Sequence, residues 1–137
     1  MNHRTEGRRN HLNARFNEQT SIYLQIAQML ENDILRGIYL EEEQVPSTNE
    51  LAKVFSINPA TAAKGINLLV DEEILYKKRG IGMFVSQGAV EKIRKKRKAA
   101  FYNNYIKALV TEAKSLSIAP EELLEMIRKA QNEQQPK

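Results

Sequence analysis

Two helix starts lie close together in the middle of the chain, and they limit the folds that this sequence can adopt. Ser47-Thr48-Asn49-Glu50 is a capping box, in which the serine hydroxyl accepts a hydrogen bond from the amide of residue 50 and the glutamate returns to the cap. Asn58 followed by Pro59 is a second cap, because asparagine accepts from the next turn's amides and proline has no amide to leave unpaired. We therefore predict two short helices joined by a tight turn, which is a helix-turn-helix unit.

The second helix of this unit is expected to have two different faces. It is predicted to run from about Pro59 to Glu72, and its inward positions are apolar, namely Ala62, Ile66, Leu69 and Val70. Its outward positions carry small or polar side chains, namely Thr61, Lys64 and Asn67. Such a face suits a helix that reads the major groove of DNA. An ordinary helical hairpin has the same pattern, so both interpretations stay open at this point.

Upstream of the unit, the spacing of apolar residues predicts another helix. Apolar side chains recur at steps of three and four from Ile22 to Ile34, and the helix is expected to end near Gly37. The segment from Ile38 to Val45 is predicted to be a solvated loop, with a short extended stretch before the next proline. We assign no chemistry to the three consecutive glutamates of that loop, Glu41 to Glu43.

A cationic hairpin is predicted directly after the helix-turn-helix. The strand-like runs Leu75–Lys78 and Met83–Val85 are separated by Arg79-Gly80-Ile81-Gly82. The two glycines let the backbone approach a phosphate or a groove closely, and Lys77, Lys78 and Arg79 add positive charge there. Cations beside a turn are often only solvated. A cationic hairpin that follows a helix-turn-helix is nevertheless more specific than either element alone, and it favours a wing that binds DNA.

Charge is unevenly distributed along the chain, whose formal net charge is +4. Residues 1–20 carry +2, residues 21–88 carry −3 and residues 89–137 carry +5. Residues 1–17 have too few apolar side chains to offset the entropy of ordering, so we predict a flexible basic arm, which either contacts phosphates or is simply solvated. The run from Lys92 to Lys98 has six cations in seven positions, and it is either solvated, in contact with DNA, or facing an acidic patch.

Composition excludes several classes of function. The chain has no cysteine and only two histidines, His3 and His11, which lack a metal-ligand pattern. It shows no glycine-rich phosphate loop, no apolar stretch that could span a membrane and no signal peptide. We therefore predict a cytoplasmic protein that is no enzyme, with no catalytic residues, no cofactor and no metal.

The region after the hairpin is predicted to be two helices that need another surface. One long helix is expected from Ala89 to about Ser115, and Pro120 is suited to start a second one. A hairpin of two helices is too small to bury its own apolar stripe, so we predict a twofold dimer. The stripe could instead line a ligand pocket. The residues assigned to dimerisation are Phe101, Tyr105, Ala108, Leu109, Leu116, Leu123 and Ile127.

The stretch from Ser21 to Val85 resembles the winged helix-turn-helix domain of the GntR family of bacterial transcription regulators. Its matching segments, in order, are Ile22-Tyr23-Leu24-Gln25-Ile26, Val45-Pro46-Ser47, Glu50-Leu51-Ala52, Asn58-Pro59-Ala60-Thr61 and Arg79-Gly80-Ile81-Gly82-Met83-Phe84-Val85. The short remainder is similar to the YtrA subfamily, whose two-helix tail serves dimerisation and whose members often regulate transporter operons. The resemblance implies contacts with double-stranded operator DNA from Ser47, Thr48, Asn49, Asn58, Ala60, Thr61, Lys64, Lys78, Arg79, Gly80 and Gly82.

Four positions depart from the family pattern in ways that bear on base preference. Thr48 and Asn49 stand where the family often has an acidic residue and then an arginine, and Lys64 stands where arginine is common. Neither Asn nor Lys reproduces the planar bidentate fork of arginine. Ala60 can touch a thymine methyl group but cannot hydrogen-bond a base edge.

Together these patterns predict a mainly α fold with a small β-hairpin. The expected organisation is a flexible basic arm at residues 1–17, a winged helix-turn-helix domain at 18–87, a two-helix dimerisation region at 88–131 and a frayed tail at 132–137. The predicted function is a homodimeric repressor on a palindromic operator, with an unidentified small-molecule effector left open. The alternative is a winged helix that binds protein without binding specific DNA.

Overall fold

The computed structural model describes residues 21–135, and it confirms a mainly helical fold with one small hairpin. Along this part of the chain, the helices and strands are α1 (Ile22–Leu35), α2 (Thr48–Phe55), α3 (Pro59–Asp71), β1 (Leu75–Lys78), β2 (Gly82–Val85), α4 (Ala89–Phe101), a π-helical segment (Tyr102–Ile106), α5 (Lys107–Ser115) and α6 (Pro120–Glu133). Contacts divide the chain into two compact units, with the boundary between Lys95 and Lys96. The predicted basic arm at residues 1–17 lies outside the described residues.

Both predicted helix caps are present. The amide of Glu50 donates to Ser47 Oγ at 3.0 Å, and the amide of Ser47 donates to Glu50 Oε1 at 3.2 Å, so the capping box is closed in both directions. Ser56 ends α2 in the left-handed region at φ 52°. Asn58 Oδ1 then accepts from the amide of Ala60 at 2.8 Å, which starts α3. These local bonds fix the turn of the helix-turn-helix.

The core of the first unit lies between α1, α2, α3 and the hairpin. Its largest fully buried side chains include Ile26, Leu30, Ile34, Leu51, Ile66 and Leu69. α1 and α3 approach each other closely at Gly65, where an added Cβ would lie 2.7 Å from the carbonyl oxygen of Tyr23. A glycine is needed there because any side chain would collide with this backbone oxygen, which cannot rotate out of the way as a side chain can.

A short extended segment at Gln44 and Val45 pairs with the hairpin, and the sequence did not predict this pairing. β1 and β2 pair antiparallel with Leu75 opposite Val85 and Lys78 opposite Gly82. On the other side of β2, the amide of Val45 donates to Met83 O at 3.0 Å, and Gln44 forms a bridge with Phe84. The segment before α2 is therefore joined to the hairpin along one edge.

The prediction of a solvated loop at residues 38–45 is wrong in part. Tyr39 and Val45 are buried, and all three glutamates accept hydrogen bonds. The donors are the amide of Gly88 to Glu41 Oε1 at 2.7 Å, Tyr76 Oη to Glu42 Oε2 at 2.6 Å, and the amide of Leu40 to Glu43 Oε1 at 2.6 Å. Two of these bonds join residues more than 30 positions apart, so local sequence patterns do not reveal them.

The first turns of α4 belong to the first unit. Ala89 and Ile93 are fully buried in its core. The boundary between the compact units therefore lies after Lys95, whereas the sequence predicts a domain boundary between residues 87 and 88. The predicted domain boundary stays a prediction. Lys92 Nζ lies 3.5 Å from Glu73 Oε2 and donates to Glu73 O at 3.2 Å, and Arg94 pairs with Glu91 at 2.7 Å. Part of the repulsion within the basic run is relieved by these pairs.

The second unit has almost no core of its own. Among the residues of this unit that the structure describes, Ala113 alone is buried. The long helix predicted here is interrupted by the π-helical segment, where the amide of Lys107 donates to Tyr102 O, five residues back. Asn103 Nδ2 donates to Ala99 O at 3.2 Å. Across residues 21–135, no helix is both long and apolar enough to cross a membrane.

Candidate nucleic-acid interface

The first candidate contact region is the start of α2. Asn49 is exposed, and Ser47 and Thr48 are half-buried. Ser47 Oγ accepts from the amide of Glu50, but the hydroxyl still carries its own proton, which it can donate to a phosphate oxygen. The amides of a helix's first turn point along its axis, and the helix dipole adds partial positive charge there. This helix start can therefore bind a phosphate group.

The second region is the outward face of α3. Ala62, Ile66 and Leu69 are buried on the inner face, as predicted. The sequence-predicted contacts lie on the opposite side: Asn58, Ala60 and Lys64 are exposed, and Thr61 is half-buried. Asn58 uses Oδ1 for the cap, so its Nδ2 group has two donors that the cap does not employ. The face combines amide, hydroxyl, methyl and ammonium groups, all of which can recognise base edges in the major groove.

Tyr23 is a residue of this face that the sequence analysis missed. It lies near the start of α1, and Lys64 Nζ is 4.1 Å from the centroid of its ring. This is a cation–π distance, so the ring restricts where the ammonium group lies. The contact follows from the close packing of α1 against α3 at Gly65. Only the pairing of these two helices in space could have revealed it.

The third region is the hairpin, which forms the wing. Gly80 has φ 78°, and an added Cβ there would meet no atom within 4 Å, so the tip is open to solvent. Arg79 is exposed, and Ile81 is 64% exposed. Lys78 Nζ lies 4.3 Å from the centroid of Phe84, so this cation is packed on an aromatic ring while remaining exposed. The tip thus presents a guanidinium group beside flexible backbone.

One ionisable group of the wing has a shifted pKa. The hydrogen bond to Glu42 raises the pKa of Tyr76 above its usual value, with smaller contributions from burial and from the negative charge of Glu42. The phenol is protonated at neutral pH, as tyrosine ordinarily is, and it donates the hydrogen bond to Glu42. The Glu42 carboxylate, which is exposed, is thereby engaged by a hydrogen bond within the first unit.

The structure brings these three regions into one compact unit and leaves the predicted dimerisation residues in the other. Ser47, Asn58, Lys64 and Arg79 all belong to the first unit. Of the dimerisation residues, Phe101, Tyr105, Ala108, Leu109, Leu116 and Ile127 are exposed, and Leu123 is half-buried. Within residues 21–135, no group of three or more His, Cys, Asp or Glu side chains is arranged to hold a metal ion.

A capped helix pair followed by an antiparallel hairpin defines a winged helix-turn-helix protein, a class that binds DNA. Residues 22–85 match the family described as "Bacterial regulatory proteins, gntR family". The chain is 31% identical over 109 residues to the HTH-type transcriptional repressor YtrA of Bacillus subtilis, covering 80% of this chain and 83% of that protein. The chain belongs to the GntR family, and its similarity to YtrA extends over most of both chains.

Two further similarities agree with this assignment. The uncharacterized HTH-type transcriptional regulator YurK of Bacillus subtilis is 35% identical over 66 residues, which cover 48% of this chain and only 27% of YurK. The crystal structure of a GntR-family protein from Bacteroides thetaiotaomicron superimposes with a TM-score of 0.73 at 35% identity, covering 83% of this chain and 99% of that one. The likeness to that structure extends beyond the winged domain.

Proposed function

We propose that this chain is a cytoplasmic, sequence-specific DNA-binding repressor that acts as a homodimer on a palindromic operator and catalyses no reaction. The observation that carries the proposal is the exposed polar face of α3, which shares one compact unit with the capped start of α2 and the cationic wing. Repression is supported by the name of the YtrA relative, a transcriptional repressor. Regulation of a transporter operon and control by a small-molecule effector rest on the subfamily resemblance alone.

Each contact region has its own proposed role. The first turn of α2, from Ser47 to Asn49, binds a phosphate and sets the orientation of the domain. The outward face of α3 contacts base edges in the major groove through Asn58, Ala60, Thr61 and Lys64. Ala60 can touch a thymine methyl group there. Lys78 and Arg79 bind phosphates or the minor groove, and Gly80 and Gly82 allow the backbone of the wing to come close.

The homodimer is supported by the surface of the second unit. Tyr105 is 66% exposed, Leu116 61% and Phe101 54%, which is unusual for large apolar side chains. The exposed apolar residues recur through α5 and α6 in a unit with almost no core. A concentration of exposed apolar side chains in one unit supports an interaction site there. A twofold partner would cover it and would present two α3 helices to the two half-sites of a palindrome.

The experiment that tests the contacts is a binding titration with single alanine substitutions. Operator duplexes are first enriched from a random-sequence library on the wild-type protein, and the tightest one is used as the probe. Lys64→Ala and Arg79→Ala should each weaken binding about tenfold. Arg79→Ala, if it removes a phosphate contact, should also reduce the salt slope by about one. Lys129→Ala on α6, also an exposed lysine, is the matched control and should leave affinity unchanged. Unchanged binding for both Lys64→Ala and Arg79→Ala would contradict the contact map.

The alternative of a protein-binding winged helix predicts a different outcome. Any binding would then show no steep decrease with salt, since no counterions are released from DNA. The feature that favours this alternative is the acidic balance of residues 21–88. Glu41, Glu42 and Glu43 instead accept hydrogen bonds within the first unit, which weakens the case for an acidic docking surface.

A further inference from the structure

The side chain of Gln44 reaches the tip of the wing from outside the hairpin. Gln44 Nε2 donates to the carbonyl oxygen of Ile81 at 3.0 Å, although the two residues are 37 positions apart. Gln44 lies three residues before Ser47, the cap of α2. One side chain therefore connects the segment that leads into a proposed phosphate site with the tip of the wing.

The backbone around Gln44 holds this side chain in place. Gln44 bridges Phe84, and the next residue, Val45, donates its amide to Met83 O at 3.0 Å. An added Cβ on Gly82 would lie 2.5 Å from Gln44 Nε2, so the amide group of Gln44 packs directly over the glycine. The hydrogen bond to Ile81 and the close packing on Gly82 thus hold the Gln44 side chain in the same position.

The tip is fixed on its other side as well. The amide of Ile81 donates to Lys78 O at 3.0 Å, which closes the turn that contains Arg79 and Gly80. Gly80, with φ 78° and open space around it, would otherwise leave the turn free to change shape. The bond from Gln44 is the side-chain link that ties this turn to the body of the first unit.

We propose that Gln44 is a positioning residue for DNA binding, which holds the wing tip in the conformation that binds and sets its placement relative to the start of α2. The inference rests on the proposed function, since it concerns the same interface. A tip that samples other conformations lowers the apparent affinity by the fraction of time spent in the binding conformation. Because the bond is exposed to water, its loss should raise the Kd about threefold, near the lower limit for a neutral hydrogen bond.

The test compares Gln44→Met with Gln87→Met in the full chain. Methionine has nearly the length of glutamine but no donor, and Gln87 is an exposed glutamine of the same unit, so its substitution is the matched control. Two quantities are measured: the backbone heteronuclear NOE of Gly80 and Ile81 without DNA, and the Kd for the enriched operator duplex. Only Gln44→Met should reduce the NOE at the tip and raise the Kd, while the thermal midpoint falls by no more than a few degrees.

A double-mutant cycle separates positioning from a general structural role. If Gln44 acts through the tip, Gln44→Met should cost little in an Arg79→Ala background, where the tip contact is already lost. It should still cost about threefold in a Lys64→Ala background, because α3 is a separate contact. A structural role would instead lower the thermal midpoint and weaken binding equally in both backgrounds.

The outcomes separate this inference from the function on which it rests. An unchanged NOE at the tip in Gln44→Met overturns the inference, whatever the measured Kd for the duplex. A reduced NOE together with wild-type affinity also overturns it, because the held conformation would not matter for binding. If the NOE falls but the wild-type protein binds no duplex with salt-dependent affinity, the tip is held as described and the proposed function is wrong.

Discussion

The two compact units of the chain differ in how far their apolar side chains are buried. In the first unit, residues such as Ile26, Leu51 and Leu69 are completely buried and form a continuous core. In the second unit, comparable side chains such as Tyr105, Leu116 and Leu124 are more than half exposed. Burial of apolar area supplies most of the driving force for folding, so the first unit has what an independent domain needs and the second lacks it.

The proposed function assigns a different task to each unit. The first unit holds the proposed DNA-contacting side chains on a packed core, so these groups would be ordered before binding. The second unit keeps apolar surface available, and covering that surface with a second copy would bring two recognition helices together.

The largest expected effect is on folding of the first unit. Leu69→Ala should lower the free energy of unfolding by about 3 kcal/mol, because it leaves a cavity in a closed core. The measurement is urea unfolding followed by circular dichroism. Leu116→Ala, at an exposed leucine of the second unit, is the control and should cost well under about 1 kcal/mol at a protein concentration where the dimer has dissociated. Equal losses for the two variants would remove the contrast between the units.

The next effect concerns assembly. Leu109→Glu should convert the dimer to a monomer, because it places a charge in the proposed apolar interface. Sedimentation velocity measures the mass, and operator affinity should fall at least about tenfold as the second half-site contact is lost. Thr111→Glu introduces the same charge at an exposed position roughly opposite on the helix, and it should stay dimeric. A Leu109→Glu protein that remains a dimer would place the interface elsewhere.

A smaller effect is expected at the contact between α1 and α3. Tyr23→Ala should weaken operator binding about threefold, because Lys64 loses the ring that restricts its position, and an exposed cation–π contact contributes about 0.5–1 kcal/mol. Tyr23→Phe keeps the ring and should bind like wild type. Fluorescence anisotropy with the enriched duplex measures both. If the two variants lose affinity equally, the phenol group rather than the ring is what matters.

The smallest effect is a shift in the titration of one tyrosine. Glu42 raises the pKa of Tyr76, so Glu42→Gln should lower it toward the usual value, as seen in the ultraviolet absorbance of tyrosinate with Tyr76→Phe as the reference. A raised pKa in the folded state means that the stabilisation is complete below the usual tyrosine pKa and is lost as pH rises through the raised value. A Glu42→Gln titration that superimposes on wild type would contradict the assignment of the raised pKa to the Glu42 carboxylate.

Much of the first unit could be predicted because its signals are local. The capping box of Ser47 and Glu50 and the cap at Asn58 are bonds between near neighbours, and the structure has both. The burial of Ala62, Ile66 and Leu69 follows from helical spacing. The hairpin follows from strand-like runs around a turn rich in glycine.

The features that sequence reasoning missed depend on contacts between distant segments. Gln44 meets Ile81, Tyr23 meets Lys64, and Glu42 meets Tyr76 only after α1, the loop and the hairpin have packed together. The π-helical segment at Tyr102–Ile106 was also missed, because its residues fit an ordinary helical pattern. The three contacts join separate elements, so the sequence patterns that predict each element do not reveal them.

The central claim is that the first unit binds DNA and the second unit pairs two copies of the chain. Its most direct test is a fluorescence-anisotropy titration against the enriched operator and a scrambled duplex at two salt concentrations, with the mass of the complex measured in parallel. The account predicts tighter binding to the operator, a steep decrease in affinity with salt and two protomers on each duplex. An affinity that does not change with salt concentration, or equal affinity for both duplexes, would contradict it.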